Sequence, residues 1–87
     1  MLLHIGGDTS VALKGVVAVL NMESLSEDTE EFISSIRKKG CVLAAVPPPH
    51  KSCVVTMDGP RVMLYMSAIS ATTLSARAEL GRLGEQF

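Results

Sequence analysis

The chain has 87 residues, 47% of them hydrophobic but only 3% aromatic, with eight Lys and Arg against nine Asp and Glu for a formal charge of −1. A chain of that length supports one hydrophobic core, so residues 1–87 are expected to form a single domain burying about 60–65% of its unfolded surface, with little room for a deep pocket. The near-neutral balance excludes a global basic field, so contact with nucleic acid has to come from a local cluster or from many copies acting together.

Met1 to Asp8 lacks the basic start and long apolar run of a targeting segment, and no stretch of some 18 uncharged apolar residues follows, so a cytoplasmic protein without a membrane span is expected. Leu2 to Ile5 and Ser10 to Leu20 are rich in β-branched and aliphatic residues and are separated by the turn signal Gly6-Gly7-Asp8. Both read as strands. Lys14-Gly15 interrupts the second run, which predicts a tight hairpin or bulge between Val11–Leu13 and Val16–Leu20.

From Ser24 to Gly40 the pattern becomes helical. Ser24 followed by Glu27 makes a capping box, and acids Glu27, Asp28, Glu30 and Glu31 crowd the first turns. Arg37, Lys38 and Lys39 crowd the last turn, and Gly40 supplies the stop, as the helix dipole favours. Phe32, Ile33 and Ile36 give a narrow apolar face to lay on a sheet.

Cys41–Val46 and Ser52–Met57 are apolar runs of strand length, joined by Pro47-Pro48-Pro49-His50-Lys51. Three prolines fix φ and lack donors, so this connection is expected to leave the sheet as a stiff, polyproline-like turn, with the two runs free to pair across it. A strand over Val62–Met66 follows the turn residues Asp58-Gly59-Pro60-Arg61, making two adjacent hairpins. Ser70 reads as the N-cap of a final helix with Leu74, Ala76, Leu80 and Leu83 apolar, weakened by Gly81 and Gly84, whose last residues fray or are held by a neighbouring subunit. The expected fold class is α+β: a small, mostly antiparallel β-sheet with one central helix and a C-terminal helix.

The aliphatic load is large for so small a domain. Part of it is expected in a subunit interface, which predicts a homo-oligomer unless strands buried on both faces absorb the excess.

Residues able to carry chemistry are few. Cys41, His50 and Cys53 lack a Cys-x-x-Cys knuckle and sit partly in apolar runs, so buried reduced thiols are expected and no metal site. His4 has Asp8 nearby but no aligned nucleophile, and Gly6-Gly7 is followed by neither G-K-[ST] nor a G-x-G-x-x-G pattern, so no catalytic residue, no cofactor and no enzymatic activity are expected. Arg37-Lys38-Lys39 is explained by the helix dipole. Lys14, His50, Lys51 and Arg61 instead lie in predicted turns, where exposed cations repeated around an oligomer would make a phosphate-contacting rim; the plain alternative is four solvated loop residues.

Four blocks carry a family resemblance: Leu3-His4-Ile5-Gly6-Gly7-Asp8, Val11-Ala12-Leu13-Lys14, Lys51-Ser52-Cys53-Val54-Val55-Thr56, and Ser67 through Ala78 with its pattern S-x-I-S-x-x-T-L-x-x-R-A. In that order, over most of the chain, they resemble the RemB-like branch of the extracellular matrix regulatory proteins, related to the RemA biofilm-matrix transcriptional regulators of bacteria. The resemblance implies a ring-like oligomer that binds duplex DNA through basic loop residues and regulates transcription of matrix genes, with a RemA-like protein as a further partner. It also implies a departure. Where RemA-type proteins carry consecutive arginines, this chain has Pro49-His50 followed by Lys51, and Lys14 stands at or beside a second basic position; losing the bidentate arginine fork lowers the expected phosphate affinity. The alternative function is an oligomeric protein-interaction subunit that does not touch DNA.

Overall fold

The computed structural model describes the backbone of residues 1–44 and 46–85 and the side chains of 1–44 and 46–80. Strand β1 (Leu2–Gly6) turns at Gly7-Asp8 and pairs antiparallel with β2 (Thr9–Ala12). Leu3, Ile5 and Val11 point inward while Leu2, His4 and Ser10 stay exposed, the alternation of a half-buried ribbon.

The interruption at Lys14-Gly15 is neither a hairpin nor a bulge. Leu13–Gly15 is a short 3-10 turn, after which β3 (Val16–Asn21) joins a different sheet from β2. The cause is Leu13. Its side chain is drawn into the core and its N–H donates to the carbonyl of Met1 at 3.0 Å, so the chain turns a corner there instead of folding back on itself.

Helix α1 (Glu27–Lys38) begins later than the capping box at Ser24 predicts: the N-cap is Ser26, whose hydroxyl accepts the Thr29 N–H at 3.2 Å. Leu25 explains the shift, because it packs with Ile33 and Ile36 in the core just ahead of the first turn. Gly40, at φ +74°, ends the helix as expected. Ser26→Ala is expected to cost about 1 kcal/mol in urea unfolding and Ser24→Ala within a few tenths, reversing the order the capping box implies.

The second sheet has the order β3-β5-β6-β4, with β4 (Val42–Ala44), β5 (Ser52–Asp58) and β6 (Arg61–Ser67). Strands β5 and β6 form a long antiparallel hairpin across Gly59-Pro60; Gly59 at φ +61° supplies the first position of a type II′ turn, and Pro60 follows. Strand β4 corrects the sequence expectation. It is shorter than Cys41–Val46, and it runs parallel to β6 on the far edge instead of pairing with β5 across the prolines. Helix α1 is responsible: at about 1.5 Å per residue its 12 residues reach about 18 Å, enough to cross four strands spaced about 4.8 Å apart, so it delivers Cys41 beside β6, where the Leu64 N–H donates to the Cys41 carbonyl at 2.9 Å. Residues 46–50 do leave the sheet, and the Pro48–Pro49 bond is cis.

Helix α2 (Ala71–Glu85) is capped by Ser70 as predicted, its hydroxyl accepting the Thr73 N–H at 3.2 Å. Its buried stripe is Leu74 and Ala78, one turn apart; Ala76 is exposed and Leu80 is 70% exposed, against expectation. Leu83 and the last few residues, on which fraying or capture was expected, lie outside the described side chains.

The result is a small α+β fold with mostly antiparallel pairing. Helix α1 covers one face of the four-stranded sheet over Ile33, Ile36, Cys53, Val55, Leu64 and Met66. On the opposite face Val16 and Val54 meet the β1–β2 ribbon and Leu74 of α2. Strands β5 and β6 are thus covered on both faces, which absorbs part of the aliphatic load. Among the described residues, however, Leu2, Val17, Leu43 and Leu80 remain more than half exposed at 69, 57, 51 and 70%.

Candidate nucleic-acid interface

The four predicted cations divide into two pairs. Lys14 is exposed in the turn before β3, and Gly15 next to it shares a groove with Met57, Asp58 and Gly59, so Lys14 lies beside the β5–β6 turn. Arg61 is exposed on that same turn, opposite Asp58 in the strand register. These two cations occupy one pole of the sheet.

His50 and Lys51 lie at the other pole. Strand β5 runs seven residues from Ser52, next to Lys51, to Asp58, a span of about 20 Å at about 3.3 Å per residue. The backbone of Lys51 is held on both sides: its N–H donates to the Ser67 carbonyl at 2.8 Å and its carbonyl accepts the Met22 N–H at 3.0 Å, while its side chain is exposed. His50 is half-buried and donates from Nε2 to the Val46 carbonyl at 2.8 Å. That bond straps the proline loop together and leaves Nδ1 as the only ring nitrogen for another partner.

The other reactive groups are similarly occupied. His4 donates from Nε2 to the Gly7 carbonyl at 2.9 Å. Burial pushes the Cys53 thiol up to about 11, the nearby Arg37 guanidinium pulling weakly the other way, so at neutral pH it is a neutral, inert thiol. Cys41 is half-buried and its thiol leans on the Lys39 carbonyl at 3.6 Å. Among the described residues no three His, Cys, Asp or Glu side chains come together as a metal cage, and no helix is long and apolar enough to cross a membrane.

Two serines that lie in the family-resemblance blocks but received no role from the sequence tie the two sheets together. Ser52 and Ser67 are register partners on β5 and β6, and both are fully buried. Ser67 donates its hydroxyl to the Ile5 carbonyl and accepts the Ile69 N–H at 3.0 Å; Ser52 donates to the Ile69 carbonyl at 2.7 Å. Arg77 on α2 adds a longer bond to the His4 carbonyl at 3.4 Å. The available signal was position: Ser52 opens the apolar run Ser52–Met57, and Ser67 directly follows the predicted strand Val62–Met66.

A family model described as RemA-like, Extracellular matrix regulatory protein A-like, matches residues 2–78. No curated protein matches the chain.

Proposed function

Since this chain belongs to the RemA-like family of extracellular matrix regulatory proteins, we propose that it is a cytoplasmic, non-enzymatic, homo-oligomeric regulator of the RemB-like branch that acts on transcription of matrix genes by binding duplex DNA. The observation that carries this reading is the placement of two exposed cations at one pole of the sheet, Lys14 in a groove shared with Asp58 and Gly59 and Arg61 as the register partner of Asp58. Exposed turn residues on a rigid scaffold can be aimed at phosphates without disturbing the core. The non-enzymatic part is supported by the histidines, each of which spends Nε2 on a backbone carbonyl, and by the neutral Cys53 thiol.

One cation pair per subunit is a weak anchor for a chain of net charge −1. Useful affinity therefore comes from copies arranged in an oligomer, in ring form by family resemblance, whose phosphate contacts add. His50 and Lys51 stand at the opposite pole, so a single flat DNA face on one subunit engages Lys14 and Arg61 first, and His50 and Lys51 add phosphate contacts where the duplex follows the oligomer round to their side.

Fluorescence anisotropy of a labelled duplex in stepped salt tests the reading. Lys14→Glu with Arg61→Glu is expected to weaken binding at least about tenfold and to flatten the log–log salt slope by about 0.9 for each phosphate that is no longer neutralised. Lys51→Glu is expected to have the smaller effect. If the wild-type oligomer retains no duplex even at low salt, DNA binding is abandoned in favour of a protein-interaction subunit.

A further inference from the structure

Helix α1 does more than cover the sheet. It starts beside the outer strand β3, where Asp28, Thr29 and Phe32 line a groove with Val17, Ala18 and Leu20. It ends beside the opposite edge, where Gly40 and Cys41 lead straight into β4. The charge gradient along the helix is thereby converted into a charge difference between the two edges of the subunit. Glu27 and Asp28 mark the β3 edge; Lys38 and Lys39 mark the β4 edge. Both edges also carry uncovered apolar side chains, Val17 at 57% and Phe32 at 39% exposure on one and Leu43 at 51% on the other.

Strand direction adds a second constraint. Strand β3 is antiparallel to β5, β5 is antiparallel to β6, and β4 is parallel to β6, so the two edge strands run the same way. A second copy placed by rotation or translation without a flip brings its β4 edge against the first copy's β3 edge, with acids facing lysines. A two-fold arrangement of like edges would instead face acids with acids or lysines with lysines.

We propose that the β3 edge of one subunit, with Glu27, Asp28, Val17 and Phe32, docks head to tail on the β4 edge of a second copy of the chain, with Lys38, Lys39 and Leu43. This rests on the homo-oligomeric reading above and specifies its interface. The ladder register shifts between Val16 and Ala18, which breaks the regular outer edge of β3, so the contact is made by side chains and not by an added strand. Because every copy is related without a flip, all Lys14–Arg61 poles fall on the same side of the assembly.

Light scattering on size-exclusion peaks tests this with two variants of the full chain. Glu27→Lys with Asp28→Lys makes both edges basic, and Lys38→Glu with Lys39→Glu makes both acidic. Each alone is expected to fall to the 9.2 kDa monomer mass, and an equimolar mixture is expected to recover assembly, because every junction is again complementary. Circular dichroism reports whether each variant is folded, and Leu43→Glu, exposed and remote from the helix cap, is expected to dissociate the assembly without any change at α1. A wild-type monomer would overturn both the oligomer and this interface. A wild-type oligomer that all three variants leave intact would overturn the interface alone.

Discussion

Truncating Leu64 to alanine is expected to cost about 3–4 kcal/mol, out of a total stability of about 4–13 kcal/mol for 87 residues. Leu64 is fully buried in the middle of β6, on the face that α1 covers. Its neighbours Ile33 and Ile36 lie on a rigid helix, and strands flank it on either side, Cys41 and Val42 being packed against the same cluster. Little of that frame can collapse into the space left, so the cavity term adds to the lost transfer energy. Urea unfolding should show the midpoint falling with an unchanged slope, whereas Leu80→Ala, at a position 70% exposed, should stay within about 0.5 kcal/mol of wild type. Equal effects from the two substitutions would mean that α1 does not pack on β6 as described.

The second large effect is expected from a single hydroxyl. Ser67→Ala removes the donor to the Ile5 carbonyl and the acceptor for the Ile69 N–H, leaving two backbone groups unpaired inside the protein at about 1–3 kcal/mol each if no water replaces the oxygen. A net loss of about 2–4 kcal/mol follows. Ser52→Ala is expected to cost about half as much, because that hydroxyl serves one partner, the Ile69 carbonyl. The losses should also differ in place. Without Ser67 the β1–β2 ribbon loses its side-chain tie to the sheet, so amide exchange in Leu2–Gly6 should accelerate more than in β5. Uniform acceleration across both sheets would count against a local tie.

Much of this architecture was legible from the sequence because it depends on neighbours in the chain. The charge gradient and Gly40 mark α1, Ser70 caps α2, and the two apolar runs around Gly59-Pro60 make the β5–β6 hairpin. What the sequence hides depends on distant contacts. Ser24 reads as the cap of α1 until Leu25 is seen in the core, and β4 reads as a partner for β5 until the reach of α1 carries it to the other edge. The exposure of Lys14, His50, Lys51 and Arg61 was largely readable, with His50 half-buried. Their division between two poles was not, because it requires knowing that β5 runs the full distance between them.

The blocks that carry the family resemblance meet one another in space. Ile5 of the first is bonded to Ser67 of the last, Ser52 of the third to Ile69, and Arg77 reaches back to His4. Residues of the blocks that carry the resemblance thus join the ribbon, the sheet and α2, whereas the four basic turn positions make none of these ties. Fold and family were accordingly easier to read than the contact surface.

Lys51 shows how such a surface can change while the scaffold stays fixed. Its N–H and carbonyl are both committed to neighbouring segments while its side chain reaches into solvent. Selection at this position acts on the main chain and the side chain separately. Proline is barred because it has no donor for Ser67, but lysine, arginine, glutamate or alanine all leave the two backbone bonds in place. The charge of this pole can therefore drift or reverse in a single mutational step at nearly constant stability, letting descendants of one fold acquire different partners before any core residue has to change.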